Sequence, residues 1–312
     1  MAARKMQKLA LLAKIETTYG TDATPTGAAN AMLVKNVTIT PLEGEEIQRD
    51  LVMPYFGSLG VILAGTYGKI DFEVELAGSG TAGTAPFWGV LARACAMSET
   101  VVAATSVTYA PVSAGQESAT IWWNLDGTRH VLLGARGTFS LSMDAQKIPT
   151  LKFTLTGLLG TVTDVALPAT TLPTPPKPLP PSKTNTPTFS LHSYSAVVEA
   201  FSIDLGNKVE PRLLIGSESI EHVDRAVIGS ATVQADQVAG VDWMSKATAR
   251  TRAALAVTHG LTAGNIIQIA APAVEIGKPT HGSSNNILNV TLPLVFCPSS
   301  ASGNDELSIV VK

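Results

Sequence analysis

The eleven residues Thr171 to Pro181, TLPTPPKPLPP, limit what this chain can become more than any other stretch. Proline has no backbone N–H and fixes φ, so the segment can be neither a helix interior nor a central strand. It is expected to run extended as a semi-rigid spacer; about ten residues at ~3.1 Å each reach ~30 Å, roughly one domain width. The spacer falls just past the middle of a 312-residue chain and divides it into two parts of domain size. The organisation expected is an N-terminal arm over 1–30, a β module over 31–165, a linker over 166–188 and a second β module over 189–312.

Hydrophobic residues make up 45% of the chain and charged residues 15%, so a buried core is feasible and wholesale disorder is excluded. A net charge of −3 gives no global field directed at nucleic acid or a membrane surface. The two cysteines, Cys95 and Cys297, fall in opposite halves and read as free thiols rather than a disulfide framework. The opening MAARKMQKLALLA has the basic-then-apolar order of a secretory signal. Its apolar run, Leu9–Ala13, is too short, and no small-residue cleavage site closes it. With no stretch approaching a membrane span, the reading is a soluble intracellular protein whose basic arm carries a short helix near Leu9–Ile15.

Strand patterning dominates the chain beyond the arm. Ile70, Phe72, Val74 and Leu76 alternate with Asp71, Glu73 and Glu75, which makes a strand with one dry face and one acidic face. Phe139, Leu141 and Met143 alternate with small polar residues, and Leu151, Phe153 and Leu155 with Lys152 and Thr154. This is the signature of half-buried antiparallel sheet. Pro86 suits the first turn of a helix carrying Phe87, Val90, Leu91 and Ala94. After the spacer the order recurs: a strand at SAVVEAFSIDLG, a loop-rich stretch from Asn207, and a short strand SATVQAD. A helix in VDWMSKATARTRAALAVTHG ends at Gly260, before strands NIIQIAAPAVEIG and NNILNVTLPLVF. The repeat is one of order, not of letters.

Chemistry is hard to find. Gly78, Gly80 and Gly83 spell G-x-G-x-x-G, but the preceding strand is acidic on one face. Pro86 starts the helix after the third glycine, and no βα series succeeds it, so a small-residue loop is the better reading. The five histidines lie apart from one another and from any second ligand at metal spacing. His222, Asp224 and Arg225 read as an exposed turn with a local ion pair, and Glu43, Glu45 and Glu46 as a solvated acidic loop. Trp122 and Trp123 point to opposite faces of a strand, one for the core and one for an interface. No catalytic, cofactor or metal site is expected, and the chain is read as no enzyme.

Several segments together resemble the tail tube proteins (major tail proteins) of long-tailed, siphovirus bacteriophages. They are KIETTYGTDATPTGAANAMLVKNVTI, LDGTRHVLLGARGTFSLSMDAQKIPTLKFTLTGLLG and Phe201 to Arg212, with IEHVDRAVIGSATVQAD beyond it. The resemblance implies β-sandwich or barrel-like modules, each with one flanking helix. It also implies subunits that form rings around a lumen, stack into a tube and conduct the genome. Its partners would be copies of itself, the tape measure, terminator and tail-tip proteins, and DNA in transit without sequence-specific binding or membrane contact. The expected location is the virion tail, with the host cytoplasm during assembly. Family rings commonly hold six single-module subunits; two module-like halves suggest a trimer with pseudo-sixfold symmetry, the spacer spanning adjacent modules. Candidate lumen residues are Asp71, Glu73, Glu75, Gln234 and Asp236, with outer solvent as the alternative for that face. Candidate contacts between stacked rings are Leu51, Val52, Met53, Pro54, Tyr55 and Phe56, apolar groups in a long loop that need cover. A tail terminator or baseplate ring protein, a two-domain β-sandwich adhesin and an enzyme built on the glycine loop are the competing readings.

Overall fold

The computed structural model describes residues 4–312, and the fold is mainly β, with 51% strand and only 4% helix. The first part of the chain forms β1 (Leu9–Ile15), β2 (Lys35–Gln48), β3 (Val61–Glu75), the single-turn helix α1 (Gly89–Ala94), β4 (Met97–Val102) and β5 (Ser106–Pro111). It continues with β6 (Ala119–Leu125), β7 (Thr128–Asp144), β8 (Thr150–Leu159) and β9 (Thr163–Asp164). After the proline segment come β10 (Thr188–Leu191), β11 (Tyr194–Ser195), β12 (Val198–Asp204), β13 (Asn207–Leu214), β14 (Ser217–Arg225) and β15 (Ile228–Gln234). Helix α2 (Trp243–Thr248), β16 (Arg252–His259), β17 (Ile267–Ile276), β18 (Thr280–Ser284), β19 (Ile287–Phe296) and β20 (Ser308–Val311) complete it.

Strand pairing is antiparallel throughout the described residues, and every strand there except the β13–β14 hairpin belongs to one connected, unclosed sheet. Its backbone is a run of eight strands, β2-β3-β8-β7-β12-β15-β19-β18. The middle of that run is the joint between halves: β7 pairs β12 from Ser140↔Asp204 to Asp144↔Ala200. Strand β7 serves two neighbours along one edge, pairing β6 through Ala135 and β12 from Ser140. The β17–β18 pair repeats this habit. Strand β16 runs beside β17 as far as Glu275, the chain bends over Gly277–Pro279, and β18 then continues along β19. The outer strands match as well, since β1 lies on β6 as β10 lies on β16.

One face of the run is dry. Phe72, Phe153 and Phe139 occupy neighbouring strands with ring centroids 6.0 and 5.6 Å apart, the cross-strand aromatic contact that stabilises a sheet by about 0.2–1 kcal/mol per pair. Phe201, Ile203, Ala231, Val233, Leu292 and Leu294 extend the same buried layer into the second half. Trp88, 1% exposed, anchors α1 under this layer and donates its indole N–H to the Ala77 carbonyl at 2.9 Å.

Several local expectations are overturned. Leu9–Ile15 is a strand, not a helix, and pairs with β6 over its whole length. It also contributes to the core: Leu11, Leu12 and Ala13 are buried, and Leu12 bridges Ala31. The part of the expected arm before residue 4 lies outside the described residues. The long helix expected up to Gly260 is only the short α2; RAALAVTH alternates buried and exposed positions and becomes β16. The stretch from Asn207 read as loop-rich is the β13–β14 hairpin.

Candidate assembly surface

The second face of the eight-stranded run is polar and half-exposed. Asp71, Glu73 and Glu75 all point to it, but their neighbours balance them. Glu73 lies between Lys35 of β2 and Lys152 of β8, and Asp71 accepts a 2.5 Å hydrogen bond from Thr154. Across the joint the same face turns to hydroxyls: Ser142, Ser202 and Ser230 are consecutive partners, and Thr232 sits 3.1 Å from Thr291. Gln234 is exposed at the end of β15. Asp236 lies past that strand, where it accepts from the Tyr194 hydroxyl and the Gln237 amide; these bonds hold its carboxyl below the usual range. The structure thus gathers four of the five candidates on one face and gives Asp236 a local tether.

Among the described residues, β2 pairs only with β3 and β18 only with β19, so both ends of the run present an unpaired strand edge. An open edge is a template for another chain. Beyond the sheet, β2 and β3 continue as a long hairpin, joined across Glu45↔Ala64 to Gln48↔Val61. Its tip carries Leu51–Phe56: Met53 is half-buried, whereas Leu51, Val52, Tyr55 and Phe56 are exposed, Phe56 fully. Glu43, Glu45 and Glu46 lie on this hairpin, on a strand and not in the loop expected.

The second half carries a counterpart hairpin, β13–β14, and this one is covered. Arg136 of β7 donates to the Ile220 carbonyl at 2.8 Å and to the Glu221 carboxylate at 2.6 Å. The Asn207 amide donates to the carbonyls of Cys95 and Gly137, and the Tyr19 hydroxyl accepts from the Ile220 N–H at 2.5 Å. His222 is not in an exposed turn. Its Nε2 lies 3.0 Å from the Gly137 carbonyl, and burial pulls its pKa down to about 4. Asp224 accepts the Arg225 backbone N–H at 2.8 Å, but the Arg225 guanidinium turns away from it and bonds Glu306, Asn304 and the Val112 carbonyl, tying the hairpin to the C-terminal segment.

The glycine loop is also a seam. A Cβ on Gly78 would stand 2.0 Å from the Gly264 carbonyl oxygen, and one on Gly264, at φ +83°, would stand 2.3 Å from Gly80. Gly78 donates to Asn265 Oδ1 and Gly80 to the Gly264 carbonyl, so these glycines serve close backbone packing between the halves. The proline segment lies beside the same seam, with Pro176 against Gly80, Thr171 bonded to Gly27 and Pro181 bonded to Gln146. Trp123 is buried, stacked on His130 at 5.1 Å; Trp122 lies under Arg129 at 4.1 Å and donates to Asp22. Cys95 is buried, and burial raises its thiol pKa; Cys297 is half-buried. A groove of about 760 Å³ opens at the joint, between Met143, Phe201 and the end of the proline segment. Among the described residues no group of three or more His, Cys, Asp or Glu is placed to hold a metal, and no helix is long and apolar enough to cross a membrane.

A family model described as phage tail tube protein matches residues 6–294, nearly the whole chain. The chain belongs to the phage tail tube proteins. No curated protein matches it. Membership makes this a structural protein of the virion tail that associates with itself and with other tail proteins. The unpaired edges, the polar sheet face and the uncovered hairpin are surfaces that this chain leaves open. The sequence pattern marked the polar face and the apolar tip. It missed the clasp by β13–β14, because Pro211 and the alternating charges of that stretch read as loop.

Proposed function

We propose that three copies of this chain close head to tail into a pseudo-sixfold ring, and that rings stack into a tube through which phage DNA passes. The observation that carries this reading is the β7–β12 joint, which fuses two similar strand sets into one run and leaves β18 and β2 as its open ends. Pairing β18 of one copy with β2 of the next repeats between chains the joint that β7 and β12 make within one. The order of elements supports a duplication, with modules over 31–165 and 189–312 bridged by the proline segment.

Dimensions favour three copies. With strands ~4.8 Å apart and tilted ~40°, three eight-stranded runs close a barrel about 48 Å across. Side chains take ~5 Å from each wall, leaving about 38 Å, whereas two copies leave about 22 Å, too little clearance for a hydrated duplex. In this reading the hydroxyl-rich face lines the lumen, with Asp71, Glu73, Glu75 and Gln234 on it. A wall poor in free lysine gives DNA little purchase through counterion release, so the duplex slides. The exposed tip Leu51–Phe56 meets the next ring along the axis, where its apolar groups find cover. Native mass measurement of the smallest closed particle tests the stoichiometry. Multiples of three chains are expected; a closed particle of two, four or five chains overturns it.

A further inference from the structure

The geometry points to a lateral role for the base of the β2–β3 hairpin: it clasps the bend between β17 and β18 of the neighbouring copy, with its glutamates against Lys278. This inference rests on the proposed three-copy ring and names the contact that locks one copy to the next.

The template lies within the chain. Along β7, the partner β6 leaves after Ala135 and β12 joins at Ser140, and the β13–β14 hairpin just past β12 settles over the gap. There Arg136 pairs with Glu221, and the Gly137 carbonyl receives both Asn207 and His222. The β17–β18 strand has the same gap. Its partner β16 leaves after Glu275 and β18 begins at Thr280, so Gly277 stands where Gly137 stands in the first half, and the cation of this gap, Lys278, sits two positions on from the place of Arg136. Among the described residues no strand pairs with the free edge of β18, and Lys278 is exposed with no ion pair there.

The missing piece is the β2–β3 hairpin. It extends the sheet portion of β2 as β13–β14 extends β12, and it is the hairpin left uncovered. Glu45 and Glu46 are exposed and Glu43 half-exposed, and none has an ion-pair partner among the described residues. Ile47, Ile62 and Leu63 are exposed beside them. If β2 continues the sheet of the next copy beyond β18, its hairpin arrives over Gly277–Pro279 by the same path that brings β13–β14 over Arg136. An acidic hairpin then meets an unpaired lysine, and the exposed apolar residues are covered.

The test is site-specific crosslinking in assembled particles of the full chain carrying Glu46→Cys, Lys278→Cys and Cys297→Ser, with a short bismaleimide. Cys95 is buried and stays silent. A lateral clasp gives covalent species that stop at three chains, and single-cysteine controls give none. A ladder continuing past three chains would place the hairpin on the next ring and overturn the clasp while leaving the tube intact. Closed three-chain rings with no crosslink overturn the clasp alone; particles that never close overturn both it and the ring. A second measurement uses the charge itself: Lys278→Glu should weaken ring formation at least tenfold, and adding Glu45→Lys with Glu46→Lys should restore it. An unchanged assembly curve for Lys278→Glu refutes the pairing.

Discussion

Glu16 is 8% exposed and surrounded by donors, and Glu16→Gln isolates what that arrangement contributes. Oε1 accepts from the Thr120 hydroxyl at 2.9 Å and the Gly134 N–H at 2.8 Å; Oε2 accepts from the Gly20 N–H at 2.9 Å and the Ser118 hydroxyl at 2.6 Å. The two hydroxyls can rotate and accept from an amide. The two backbone N–H groups cannot, and whichever way glutamine turns, one of them faces its NH2. An unsatisfied buried donor costs about 1–3 kcal/mol, and exchanging charge-assisted bonds for neutral ones adds about 1 kcal/mol. The expected loss is about 2–4 kcal/mol. At about 2.1 cal/mol/K of unfolding entropy per residue, that lowers Tm by roughly 3–6 °C. Glu16→Ala, which strands all four donors, should cost more. The assay is calorimetric or fluorescence melting of dilute, unassembled protein. If residues up to 30 were an arm that orders only on assembly, both variants would melt with the parent. A Glu16→Gln shift under about 1 °C would refute the reasoning.

Acidification should loosen the β13–β14 clasp. His222 titrates near 4 in the fold against about 6.5 unfolded, so its neutral form is retained at neutral pH, and stability falls as pH drops from about 6.5 toward 4. Between pH 7 and pH 5 the loss is about 2 kcal/mol, which urea unfolding of the parent should show and His222→Gln should largely remove. Gly78→Ala drives a methyl into the Gly264 carbonyl and should cost about 1–3 kcal/mol; an unchanged Tm would dissolve the glycine seam. Ser202→Lys with Ser230→Lys should leave tubes intact but slow DNA release in a salt-dependent way. Unchanged, salt-insensitive release would move that face out of the lumen.

Much of the architecture was legible because it arises from chain chemistry. The alternation at Ile70–Leu76 and Phe139–Met143 placed the dry layer correctly, since period two fits one buried sheet face. The proline run stands outside the sheet, between β9 and β10, because no sheet can absorb it. Other features depend on tertiary partners that pattern cannot show. LALLAKI has no clean period: Leu11 and Leu12 are both buried, one within the sheet layer and one against Ala31, so a strand read as a helix. Ala-rich RAALAVTH looked helical until β10 and β17 took its two edges. The acidic wall inferred from Asp71, Glu73 and Glu75 is balanced by Lys35 and Lys152, which come from other strands and are far away in sequence. The glycine triplet explained itself only once Gly264 arrived opposite it.

The three-copy ring is tested most directly by electron microscopy of assembled particles viewed down the axis, with rotational symmetry determined from the end views. Hollow rings with true threefold symmetry and six similar lobes are the expected result. Strict sixfold rings of whole chains, or a protein that stays monomeric even with a tail-tip nucleus, would contradict it.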